Sequence, residues 1–226
     1  MNLLQISTVA STGVDVPTAT EPSMSLLELL FKGGWVMMPI LFLSLVAVYV
    51  VIERILVLNR ASSTPKDLVD SIKTNILRAD LNTAETMVSK HHTPVGEMLL
   101  KGIKRIGRPV KEIESSMENT GRIEIMKLEK NLNLLGIIAA VSPMLGFVGT
   151  ISGVIKIFYN ISLADNISIG LIAGGLYEKM ITSAAGLIVG IIAHTSYQLL
   201  TMKIDTISLE MEKAGVEFVD IITEHK

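Results

Sequence analysis

The chain has no cysteine among its 226 residues, which excludes a disulfide framework, a thiolate metal site and a cysteine nucleophile. Its four histidines, His91, His92, His194 and His225, show no metal-ligand spacing with carboxylates, so no metal site is expected. The first residues carry no basic segment, and the apolar run Leu3, Leu4, Ile6 is too short for a signal peptide. No Ser-His-Asp set or pair of catalytic carboxylates is visible, and Gly102–Gly107 lacks the Gly-Lys-Ser/Thr and the preceding strand of a phosphate loop. These absences point away from an enzyme and from any cofactor. The net charge of −2 points to no nucleic-acid partner. No internal repeat is present, which argues against a small-substrate transporter built from related halves.

What the chain has instead is apolar surface. It is 49% hydrophobic with mean hydropathy +0.51, too apolar for an ordinary soluble domain. Three uncharged or nearly uncharged stretches stand out. Trp35–Ile52 holds no charge, is closed by Glu53-Arg54 and begins with an interfacial Trp35. Leu132–Ile155 is a second such run, with Pro143 expected to kink it. A third extends from Ile167 to about Met202, broken only by Glu178, Lys179 and His194.

The fold class is therefore an all-α membrane protein with three transmembrane helices. Of the 20 basic residues, 14 lie in 53–131, whereas only Lys32 precedes Trp35 and only Lys156 lies in 156–168. The positive-inside rule puts 53–131 and the C-terminus in the cytoplasm and the N-terminus outside. The expected layout is a disordered polar lead over 1–25, a first span region over 26–54 and a cytoplasmic helical region over 55–131. A second span over 132–158, a short outer connection over 159–168, a third span over 169–200 and a cytoplasmic helix over 201–226 follow. Within 60–131, Leu68, Ile72, Ile76 and Leu77 form one helical stripe and Met98, Leu99, Ile103 and Ile106 another; Asp67 and Asp80 are candidate caps. From Lys111 the pattern runs into the second span with Ile113, Met117, Ile123 and Leu128 roughly on its apolar side. The second and third spans are thus expected to continue as long helices into a cytoplasmic bundle.

Two stretches carry the chemistry. Gly146, Gly149, Thr150 and Gly153 share one helix face after Pro143, and Thr182, Gly186 and Gly190 form a second small stripe. Glu178 lies four residues before Thr182, with Ser183 rotated well away. One reading is close helix packing, each hydroxyl bonded to its own preceding carbonyl. The other is a polar seam lining a water-filled path. Glu178 sits at the outer surface if the bilayer covers Met180–Met202, and within its outer half if it covers Ile169–Ala193.

Pro143-x-x-Gly146-x-x-Gly149-Thr150-x-x-Gly153-x-x-x-x-Phe158 resembles the second-span signature of the MotA/TolQ/ExbB proton-channel family. Glu178-x-x-x-Thr182-Ser183-Ala184-Ala185-Gly186-Leu187 resembles its third-span signature, and the likeness covers roughly Leu26 to Phe218, nearest to the ExbB branch. The resemblance implies a homo-oligomeric ring, a pentamer, around a dimer of ExbD-like single-span helices in the bacterial inner membrane. Such a complex uses the proton-motive force to drive a TonB-like protein; a TolQ-like or stator-like task is the alternative. It further implies that Thr150 and Ser183 line the pore opposite a partner's Asp, with Thr182 and Glu178 near the same path and the glycines packing its helices. The sequence departs from the pattern at Ser183, where a second Thr is usual, and at Lys179, where an Ala is common and where a cation is placed to neutralise Glu178. It also lacks a late proline at Ile191-Ile192-Ala193 and has Gln198 where Asn is usual.

Overall fold

The computed structural model describes residues 33–63, 68–78, 80–90, 93–163 and 169–224. Among them are seven helices and no strand: α1 Met37–Ala61, α2 Leu68–Leu77, α3 Leu81–Ser89, α4 Pro94–Ile103, α5 Val110–Glu129, α6 Leu132–Leu163 and α7 Ile169–Glu224. The expected lead over 1–25, the cap Asp67 and residues 164–168 of the expected connection lie outside the described residues. Three long helical stretches, within Met37–Ala61, Val110–Leu163 and Ile172–Thr223, are long and apolar enough to cross a membrane. The chain is a membrane protein.

The short helices start where the sequence supplies caps. Asp80 accepts from the Thr83 amide at 3.1 Å, which satisfies one of the donors a helix start leaves free. The Thr83 side chain and, after it, this backbone bond favour the ionised carboxylate and hold Asp80 below its ordinary value. Thr93 does the same for α4, accepting from the Gly96 amide at 3.3 Å, with Pro94 in the first turn.

α7 is one unbroken helix of 56 residues, about 84 Å long at 1.5 Å per residue. Its buried side chains in the charged half are Leu200, Ile204, Ile207, Met211, Ala214, Phe218 and Ile221. Their alternating spacings of four and three give the 3.5-residue period of a coiled-coil seam. Phe218, Ile207, Leu99 and Ile72 are at or below 1% exposure and centre that core. Of the expected stripes, Ile72, Met98, Leu99 and Ile103 are buried in it, and Ile76 and Ile106 pack against it.

Two expectations are corrected. The first is an uninterrupted helix from Lys111 into the second span. The chain instead breaks at Lys130, which is extended (φ −51°, ψ 137°), and at Asn131, with φ 64°. Asn tolerates that left-handed conformation better than most residues. The break frees the last carbonyls of α5, and α1 fills them. The Arg54 guanidinium, buried at 3% exposure, donates to the carbonyls of Leu128 at 3.1 Å and Lys127 at 3.4 Å. Glu53 pairs with Arg54 and accepts from the Asn131 amide at 3.3 Å. The second correction concerns Ile123, which is 54% exposed while Ile113, Met117 and Leu128 are buried. At 100° per residue, Ile123 lies over 100° from the mean direction of the other three. α6 itself runs to Leu163, into the stretch 159–168.

Candidate functional site

α6 and α7 lie antiparallel, and the small residues decide how close they come. Gly146, Gly149 and Gly153 are buried on α6, and Gly186 and Gly190 on α7. A Cβ added at Gly186 would lie 2.5 Å from the Ser142 carbonyl oxygen and 3.0 Å from Gly146 Cα. One at Gly146 would lie 3.1 Å from Ser183 Cα and 3.2 Å from the Thr182 carbonyl. Backbone therefore rests on backbone here, the geometry that small-xxx-small stripes permit. Pro143 lies inside α6, and its ring occupies the space that a side chain at Gly190 would fill, with Cγ 2.5 Å from that Cβ position. Farther along, Leu135 and Ile138 replace the glycines on α6, and Ala193 and Leu200 on α7. The seam thus changes from small to large residues as it leaves the apolar half.

The hydroxyls divide into two groups. Thr182 is wholly buried and donates to the Gly33 carbonyl at 2.8 Å. Its methyl lies where Gly149 has no side chain, 2.9 Å from that Cβ position. Although Thr182 is expected near the pore, the subunit's own helices enclose it, and its hydroxyl holds the start of α1 against α7. Thr150 and Ser183 are each half-buried. Thr150 donates to the Gly146 carbonyl at 3.0 Å, and Gly146 is the residue against which Ser183 packs its backbone. The two residues thus share Gly146 as a common neighbour on the two helices. Glu178 takes its place on α7 four residues before Thr182, and its side chain lies outside the described residues.

Lys179 does not simply follow Glu178. Its stem lies across Gly153, and its ammonium is 3.3 Å from the Cβ position of Gly34. Together with Lys156, Ser152 and Trp35 it borders a small cavity of about 110 Å³ at the start of α1. Sequence reasoning missed two polar features. Ser142 is fully buried, and its hydroxyl has no hydrogen-bond partner among the described residues. Arg54 looks like an interfacial charge in the sequence and is instead a buried clamp. Ser142 offered a signal, because it is one turn before Gly146 on the small face. Arg54 offered none, because its acceptors are 73 and 74 residues away.

The outward faces of α6 and α7 are apolar, with Met144, Phe147, Ile151 and Ile155 on one and Leu187, Ile188, Ile191 and Ile192 on the other, all exposed. In water such a belt is untenable; a bilayer accommodates it. Three spanning helices, a glycine seam with two half-buried hydroxyls and a large charged helical half define a class of protein, the polytopic α-helical membrane protein. The family model described as the MotA/TolQ/ExbB proton channel family matches residues 90–213, and the chain belongs to that family. It is 30% identical over 182 residues to an ExbB-like biopolymer transport protein of Synechocystis, covering 77% of this chain and 70% of that one. An ExbB homologue of Methanothermobacter thermautotrophicus is 27% identical over 80% of this chain, which spans 64% of that relative. The TolQ protein of the Tol-Pal system in Haemophilus influenzae is 31% identical over 99 residues, 44% of this chain and 43% of that one.

Proposed function

We infer that the chain is an ExbB-like ring subunit of an inner-membrane motor driven by the proton-motive force. It works with an ExbD-like single-span partner, and the complex energises a TonB-like protein for transport across the outer membrane. In this reading five copies enclose the partner helices, with the N-terminus outside and the charged half in the cytoplasm, as the placement of 14 of 20 basic residues in 53–131 suggests. The observation that supports it is the place of Thr150 and Ser183, both half-buried and each a neighbour of Gly146, beside a seam too tight for larger residues.

A carboxyl group in a low-dielectric pore favours its neutral form. Hydroxyls beside it give a leaving proton hydrogen-bonded water to pass through, and the change of charge alters the force between partner and ring. One charge crossing 100 mV supplies about 2.3 kcal/mol, so a working stroke draws on several protons. Thr150 and Ser183 are the hydroxyls assigned to this path, and Glu178 is the carboxylate nearest to it along α7. Thr182 is assigned to holding α1. The glycines and Pro143 set the helix separation.

A TolQ-like task in the envelope is the second reading, favoured by the likeness to the Haemophilus protein. The test is native mass spectrometry of the complex expressed with its neighbouring genes, then Thr150→Val with Ser183→Ala. The expected result is a ring that keeps its mass and loses energy-dependent uptake. Normal uptake in the double variant overturns the assignment, and a monomer without a small partner overturns the ring.

A further inference from the structure

The charged half carries two surfaces of opposite charge. The first is a groove of about 490 Å³ between α5 and α7. Its floor is methionine: Met98, Met117 and Met211 are all buried. Gly121 and Gly215 border that floor, and a Cβ at either would make only ordinary contact, 3.4–3.5 Å from a methionine side chain. Its rim is acidic, with Glu114, Glu118, Glu212 and Asp220 against a single Arg122, which Glu118 already binds at 2.6 Å. Val216 stands in it at 59% exposure.

The second surface lies on the other side of the exposed sector of α5, where it meets the end of α4. Lys101, Arg105 and Lys111 border it. Their neighbours Lys104 and Arg108 are paired with Glu85 and Glu112, whereas Lys101, Arg105 and Lys111 form no ion pair among the described residues. Ile123 stands exposed on this side.

We propose that the basic face of one subunit, Lys101, Arg105 and Lys111 around Ile123, seats against the acidic, methionine-floored groove of the next copy. The inference rests on the ring reading above and names the contact that closes the ring in its charged half. Three features select a second copy as the occupant. The groove has an excess of three negative charges and the face three unpaired cations, so the surfaces match in sign and number. Each carries an exposed aliphatic side chain that its own subunit leaves uncovered, apolar area that a neighbouring copy would bury. The complements lie on different faces of one chain, which makes the contact head-to-tail, and such contacts form a ring where the rotation between copies closes. Lipid headgroups are out of reach: Lys111 is about 28 Å along the helix from where the apolar run of α6 begins, several screening lengths at physiological salt.

The chain is free of cysteine, which allows a direct test in the intact complex. Ile123→Cys and Val216→Cys are introduced singly and together, and membranes are treated with a short bis-maleimide. The expected result is a ladder of linked subunits from the double variant alone. Adding Arg105→Glu with Lys111→Glu reduces the ladder, and further adding Glu114→Lys with Glu212→Lys restores it. An intact ring by native mass spectrometry that gives no ladder overturns this interface and leaves the ring reading standing. Linkage of the groove cysteine to a cysteine placed in the small partner also overturns it, because the groove then belongs to that partner. A cysteine-free chain that forms no ring overturns the underlying reading before any cysteine is introduced.

Discussion

Gly186→Ala is the substitution the seam tolerates least. The new Cβ would lie 2.5 Å from the Ser142 carbonyl oxygen, 3.0 Å from Gly146 Cα and 3.1 Å from Gly146 N. Ordinary contact begins near 3.4 Å, so α6 and α7 must part by about 0.9 Å. All three obstacles are backbone atoms, and no rotamer change relieves them. Overpacking of this kind costs about 1–3 kcal/mol, and the parted helices also lose dispersion contact along the rest of the seam. Alanine's better helix propensity, about 1 kcal/mol, opposes the loss. Gly174→Ala, on the same helix, isolates that opposing term, because nothing lies within 4 Å of its Cβ position. The propensity term is common to both, so the two variants should differ in stability by about 1–3 kcal/mol, Gly174→Ala being the more stable. Thermal unfolding in detergent, followed by far-UV circular dichroism, reads this difference. Equal melting of the two variants would refute the close-packed seam.

Three further outcomes follow from the same geometry. Thr182→Val keeps the shape but leaves the buried Gly33 carbonyl without its donor, at a cost of about 1–3 kcal/mol in the same assay; an unchanged melting temperature would show that the bond carries nothing. Ser142→Ala removes a fully buried hydroxyl that has no partner among the described residues, and should raise stability by about 1 kcal/mol or leave it unchanged. A marked loss would reveal a partner for that hydroxyl. Arg54→Ala strips the buried donor from the carbonyls of Lys127 and Leu128 and should cost about 2–3 kcal/mol. Hydrogen exchange should then rise first at the end of α5, and exchange that stays as slow there as in wild type would contradict the clamp.

The three spans are visible as uncharged runs, and the glycine faces of α6 and α7 follow from spacings of three and four, because helical periodicity is a local property. The pairing of those faces is global, yet the match of one small stripe to another made it readable. The break at Lys130–Asn131 was not readable. Neither residue is a helix breaker by type, and the joint is held by Arg54 from a distant helix. The separate fates of Thr182 and Ser183 were half readable: one residue is a rotation of about 100°, but only the position of Gly33 shows which hydroxyl turns inward. Ile123 falls off its expected face because a loosely drawn stripe tolerates an angular error that packing does not. The 3.5-residue period of α7 beyond Ala193 was present in the sequence and hidden by the charges between its core positions.

Proton flux through the purified complex in vesicles under an imposed potential tests the central claim most directly. Measurable flux is expected through the wild-type assembly. In Thr150→Val with Ser183→Ala the flux should fall to the level of protein-free vesicles while the ring mass is unchanged. Wild-type flux in that double variant, with the same ring, would contradict the assignment of the path to Thr150 and Ser183.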